Sequence, residues 1–145
     1  MKTSIGTRRL ERLLLRRKEL GSILLNLDMY ERWGHGSDPD MNQEMERAPE
    51  YGRQITKLES QLKVLSSKAK KEVIQEWADA HIALLQEFID RMSTQKNRST
   101  HIFVAREEIA GWEQVRRREI PFVRQNVYYI SCNPELYAKF FGKVH

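Results

Sequence analysis

Leucines at Leu10, Leu13, Leu20, Leu24 and Leu27, with Arg17 standing in the same series, alternate spacings of three and four through RRLERLLLRRKELGSILLNL, residues 8–27. That rhythm is the seam of a helix packed lengthwise on another helix, and no other feature constrains the chain as strongly. Leu14 widens the stripe. Glu, Lys, Arg and Leu favour helix intrinsically, and Gly21 subtracts about 1 kcal/mol relative to alanine without ending so periodic a run. WGHGSDPD, residues 33–40, does end it. Gly34 and Gly36 suit a helix C-terminus and a loop, and Asp38 followed by Pro39 reads as an N-cap with proline in the first helical position.

A second seam follows at Tyr51, Ile55, Leu58, Leu62 and Leu65, with Met41, Met45 and Ala48 extending it backwards. Pro49 either kinks this helix or marks its start. Two matching seams joined by a short turn predict an antiparallel hairpin over residues 1–66. Charge follows the same plan. Of the formal net +5, residues 1–20 hold seven basic and two acidic side chains, residues 28–50 two basic and seven acidic, and residues 51–145 sixteen basic and eleven acidic. Folding back brings the basic start beside Lys63, Lys68, Lys70 and Lys71 and leaves the acidic segment at the turn. The hairpin is expected to have a positive open end and a negative tip.

Residues 67–145 are expected to form a second unit packed on the hairpin. Ser66 or Ser67 can cap a third helix, on which Val73, Ile74, Trp77, His81, Leu84, Leu85, Phe88 and Met92 lie near one face. STQKNRST, residues 93–100, reads as a loop. HIFVA, 101–105, and NVYYI, 126–130, are strand candidates, and REEIAGWEQVRRRE, 106–119, is helical up to Pro121. CNPELYAKFFG, 132–142, carries helix punctuation in Asn133, Pro134 and Gly142. The expected class is mainly α: a long antiparallel helical hairpin and a third helix, with a small α/β C-terminal cap holding the two strand candidates.

The hairpin segment RRLERLLLRRKELGSILLNLDMYERW, followed by SDPDMNQE and RQITKLESQLKVL, resembles the effector-associated helical hairpins of bacteria, which occur beside STAND-type NTPases and caspase-like proteases. Asp38-Pro39, Arg53-Gln54-Ile55, Leu58-Glu59 and Leu62 carry the likeness, which spans about residues 7–65. APEYG, at the start of the second helix, departs from the pattern, and residues 67–145 resemble no family. The resemblance implies adaptor-like protein–protein association in a defence or signalling complex, without catalysis.

The chemistry-bearing residues are scattered. Cys132 is the single cysteine, so it forms no internal disulfide, suits a reducing compartment and cannot build a zinc site. His35, His81, His101 and His145 have no metal-ligand spacing, and neither a P-loop nor a glycine-rich dinucleotide motif occurs. Glu107, Glu108 and Glu113 read as helix surface. An enzyme is not expected, nor a metal or cofactor. No apolar run reaches the length of a membrane span, and Arg16, Arg17, Lys18 and Glu19 interrupt the only stretch that imitates a signal peptide. A cytoplasmic protein without membrane contact is expected.

Two surfaces remain as candidates. The first is a protein interface made by the hairpin stripe and the terminal aromatics: Arg17, Leu20, Leu24, Tyr137, Phe140 and Phe141. Arg17 occupies a seam position where leucine packs better, as a partner-specifying residue or as a side chain snorkelling along the hairpin edge. Adjacent Phe140 and Phe141 cannot both be buried on one face of a short helix, so one ring is offered to a partner. Seams that the helices cannot cover alone also suit homo-oligomerisation. The alternative is a nucleic-acid interface at the basic end: Arg8, Arg12, Arg16, Lys68, Lys70, Lys71 and Arg116, Arg117, Arg118. Arg8, Arg12 and Arg16 share a stripe opposite the seam, where phosphate contacts are geometrically allowed, although such charge runs also serve simply as a solvated back face.

Overall fold

The computed structural model describes residues 3–124 together with Tyr137, Ala138 and Phe141. Five helices account for most of them: α1 (Ile5–Trp33), α2 (Pro39–Met45), α3 (Ala48–Lys68), α4 (Lys71–Met92) and α5 (Ser99–Arg116). Among the described residues there is no strand.

The first hairpin forms as its seams require. α1 packs along α3, and the register is antiparallel, with Arg17 opposite Glu59 and Arg9 beside Leu65. Ser4 caps α1 by accepting from the Thr7 amide at 3.2 Å. Gly34 closes it, its amide reaching the Tyr30 carbonyl at 2.7 Å. At the tip, Asp38 Oδ1 accepts from the Asp40 and Met41 amides, with Pro39 in the first turn. The Tyr30 hydroxyl accepts the Asp38 amide and reaches Asn42 Oδ1, both at 2.9 Å, which ties the end of α1 to α2. The second seam is broken in two. Glu46 and Arg47 separate α2 from α3, and Pro49 falls in the first turn of α3, where its missing amide costs nothing.

The third helix begins later than its serines suggest. Ser66 and Ser67 lie inside α3, and α4 starts after Lys70 with no side-chain cap. α4 and α5 form a second antiparallel hairpin, crosslinked where Arg116 Nε meets Asp79 Oδ1 at 2.8 Å. HIFVA lies within the first two turns of α5 rather than in a strand. Ala105, Glu108, Trp112 and Val115 are buried at spacings of three and four, and that stripe extends back to the half-buried Ile102. Packing along one helical face overrides the β-branched propensity of five residues. The α/β cap is therefore not supported. Its second strand candidate, residues 126–130, lies outside the described residues, as do Asn133, Pro134 and Gly142. Tyr137, Ala138 and Phe141 are helical.

One core joins the two hairpins. Leu10 and Leu14 from α1, Leu62 from α3, Ile74, Trp77, Leu84, Leu85 and Phe88 from α4, and Trp112 and Val115 from α5 pack together with Phe122 and Phe141. α1 is the shared element. Its Leu10–Leu27 seam faces α3, while Thr7, Glu11 and Leu14, a stripe at spacings of four and three, are buried beneath it. After α5 the chain turns at Arg118 (φ 60°) and Phe122–Arg124 lap back over the hairpins. Gly111 lets that return pack closely, since a Cβ there would stand 2.9 Å from Val123 Cγ2 and force a shift.

Candidate functional site

The most unusual chemistry is inside the core. Glu11 is 1% exposed and His81 not exposed at all. Glu11 Oε2 accepts from Trp77 Nε1 at 2.9 Å and lies 2.5 Å from His81 Nε2. Trp77 and His81, four residues apart on α4, share a face, and that spacing aims both N–H groups at one carboxylate oxygen. Tyr137 donates to Glu11 Oε1 at 3.3 Å. A buried carboxylate is tolerated only when such donors replace its water. A carboxylate oxygen only accepts, so His81 Nε2 is the donor in this contact. The imidazole is stacked on Trp112, centroids 3.9 Å apart and planes 6° apart, with Phe141 tilted against it at 4.7 Å. His81 Nδ1 and Trp112 Nε1 are buried without a hydrogen-bond partner among the described residues. With the Trp112 and Phe141 rings against the imidazole and no exposed edge, the cluster joins α1, α4 and α5 to Tyr137 and Phe141.

Tyr137 gives that fastening a pH dependence. Burial first, and then the Glu11 carboxylate, hold its hydroxyl well above the usual phenol range. The folded state therefore favours the neutral phenol, and the contribution of Tyr137 is complete below about pH 10, its unfolded value. It declines as pH rises above that. Thermal melts of the wild type should lose more stability between about pH 10 and pH 11 than those of Tyr137→Phe; identical pH slopes would contradict the buried hydroxyl.

Arg17 is answered by α3. Its guanidinium meets Glu59 Oε1 at 2.9 Å through both Nε and an Nη, with side chains 14% and 17% exposed. It also lies over the Phe122 ring, 6.0 Å from the centroid. Arg124 approaches the other Glu59 oxygen at 3.7 Å. Arg17→Leu should cost about 1–3 kcal/mol in denaturant titrations, because it leaves the half-buried Glu59 carboxylate with only the more distant Arg124. Adding Glu59→Leu should recover most of the loss; a double variant as unstable as the single one would deny the coupling.

The other sequence-derived residues divide. Leu20 is buried, Leu24 half-buried and Phe141 is buried against His81. Phe140 lies outside the described residues. Arg8, Arg12 and Arg16 are exposed on α1, and Arg12 borders the groove between α1 and α3 rather than a face opposite the seam. Lys68 and Lys70 share a groove with Arg9, and Lys71 follows them at the α3–α4 turn. Arg118 donates to the Ala69 carbonyl at that turn. Arg116 and Arg117 are paired with Asp79 and Glu119. Glu108 is buried on α5 rather than being helix surface.

Two surface features escape a reading of the seam alone. Leu25, Met29 and Trp33 recur every fourth residue on α1, at 44%, 48% and 66% exposure, so they make one apolar stripe running to the acidic tip. At the other end, Arg9, Arg12, Leu13, Ser60, Gln61, Val64 and Leu65 line a groove of about 510 Å³ between α1 and α3. Among the described residues no group of three or more His, Cys, Asp or Glu is placed to hold a metal ion, and no helix is long and apolar enough to cross a membrane. No known protein family, curated protein or solved structure matches the chain.

Proposed function

We propose that the chain is a non-catalytic protein-interaction module whose docking element is the tip of the first hairpin. The observation that carries this is the Leu25–Met29–Trp33 stripe. A tryptophan two-thirds exposed at the end of a regular apolar stripe is expensive to leave in water and is the residue type that most often anchors an interface. The resemblance of residues 7–65 to effector-associated hairpins points the same way, towards an adaptor or regulatory subunit of a bacterial complex. The sealed Glu11–His81 cluster supplies rigidity and no exposed nucleophile or base.

A benzophenone side chain placed at position 33 and activated in the native host should give an adduct to a defined polypeptide. The same probe at the exposed Gln86 of α4 should give none, and Met29→Asp should abolish the adduct at 33. Equal labelling at both positions, or none at 33, would remove the reading.

One arrangement favours the second reading, nucleic-acid binding: Arg9, Lys68 and Lys70 converge on one groove, with Arg118 anchored alongside at Ala69. Duplex DNA and RNA shifted at low salt, with affinity falling steeply as salt rises, would support it. No shift at low salt would end it.

A further inference from the structure

The two unfilled surfaces of the first hairpin are complementary to one another. The tip presents Leu25, Met29 and Trp33 at the start of the acidic segment 28–50, which holds seven acidic and two basic side chains. Asp28, beside the stripe on α1, is paired with Arg32, so the negative charge of the tip comes from the segment as a whole. The groove near the open end has the opposite charge with the same apolar floor: Leu13, Leu65 and the half-exposed Val64 lie between the two strips of polar residues, with Arg9 and Arg12 along the α1 side.

We infer that the acidic, apolar tip of one copy seats in the basic groove of a second copy, giving a head-to-tail assembly. This rests on the reading of the tip as a docking element and names its occupant. A chain cannot satisfy itself. Arg12 and Met29 stand on the same straight helix, about 25 Å apart at 1.5 Å per residue, so the tip cannot reach its own groove. Symmetric tip-to-tip or groove-to-groove pairing sets like charges against each other. The interface therefore joins two different patches, which makes it heterologous, and such contacts add copies in series until a ring closes. Salt weakens the long-range attraction that selects this pairing over the symmetric ones.

The experiment uses the full chain and two variants with all changes at exposed positions: Met29→Asp with Trp33→Asp at the tip, and Arg9→Glu with Arg12→Glu at the groove. Unchanged helical circular dichroism confirms that each folds. Sedimentation of the wild type in low salt should show species larger than a monomer that shift towards monomer as salt rises. Each variant alone should be monomeric, its self-association weakened at least about tenfold. Mixed, they should form a one-to-one dimer and nothing larger, because each keeps the surface that the other has lost. A wild type that stays monomeric in low salt, or a mixture that stays monomeric, overturns the head-to-tail assembly. A tip variant that still dimerises overturns it too.

The benzophenone at position 33 separates this from the broader reading. An adduct of twice the chain mass, lost with Arg9→Glu and Arg12→Glu, supports self-assembly. An adduct to a different polypeptide alone overturns self-assembly while the docking role of the tip survives. No adduct at all overturns both.

Discussion

Glu11→Ala is expected to lower the unfolding free energy by about 3–5 kcal/mol, read from guanidinium titrations. The substitution removes the acceptor for Trp77 Nε1–H and His81 Nε2–H in a buried place, and it also takes away the Tyr137 contact. Each buried donor left unmade costs about 1–3 kcal/mol, and the missing side chain leaves a void between α1 and α4. Against a net stability of about 5–15 kcal/mol for a domain of this size, that loss places the fold near its threshold. Glu11→Gln should cost less, since its amide oxygen can still accept. A loss under about 1 kcal/mol for the alanine variant would contradict the buried network.

Trp112→Ala should be comparably damaging, about 3–5 kcal/mol. The indole is fully buried, stacked on His81 and set edge-on to Trp77 at 5.0 Å between centroids. Removing it opens a cavity at the meeting of α4 and α5 and frees one face of the imidazole. Trp112→Phe keeps a ring there and should cost less, and the order Trp, Phe, Ala in melting temperature checks it. The Trp77–Trp112 pair also predicts a near-ultraviolet circular dichroism signal that Trp112→Phe erases. An alanine variant that melts with the wild type would place Trp112 outside the core.

The hairpin was legible because its information is local and periodic. The α1 seam, the Asp38–Pro39 start of α2 and the Tyr51–Leu65 series can be read from spacing, and so can the face of α4 that carries Trp77 and His81. The five residues of HIFVA cannot distinguish strand from helix until the stripe continuing through Ala105, Glu108, Trp112 and Val115 is included. Glu11 was invisible for a different reason. It stands among the arginines of a charged run, and its burial depends on donors 66, 70 and 126 residues away in sequence. The available signal was Trp77 and His81 four apart on one apolar face, two donors that needed an acceptor. The tip stripe does not follow from the seam rhythm. Leu25, Met29 and Trp33 fall beside the Leu20–Leu24–Leu27 series, and only the packing shows that nothing in the described chain covers them.

The Glu11 carboxylate also excludes competing arrangements. Leucine-rich helices can slide past one another by a turn, about 5.4 Å, and still bury similar apolar area. Here such a slip would pull Trp77 and His81 off the carboxylate and strand it in an apolar interior, at a cost of several kcal/mol. The Arg17–Glu59 pair applies a smaller penalty of the same kind to α3, since both side chains keep some contact with water. Interchangeable leucines supply the burial, and two carboxylates select among the packings that those leucines would otherwise accept.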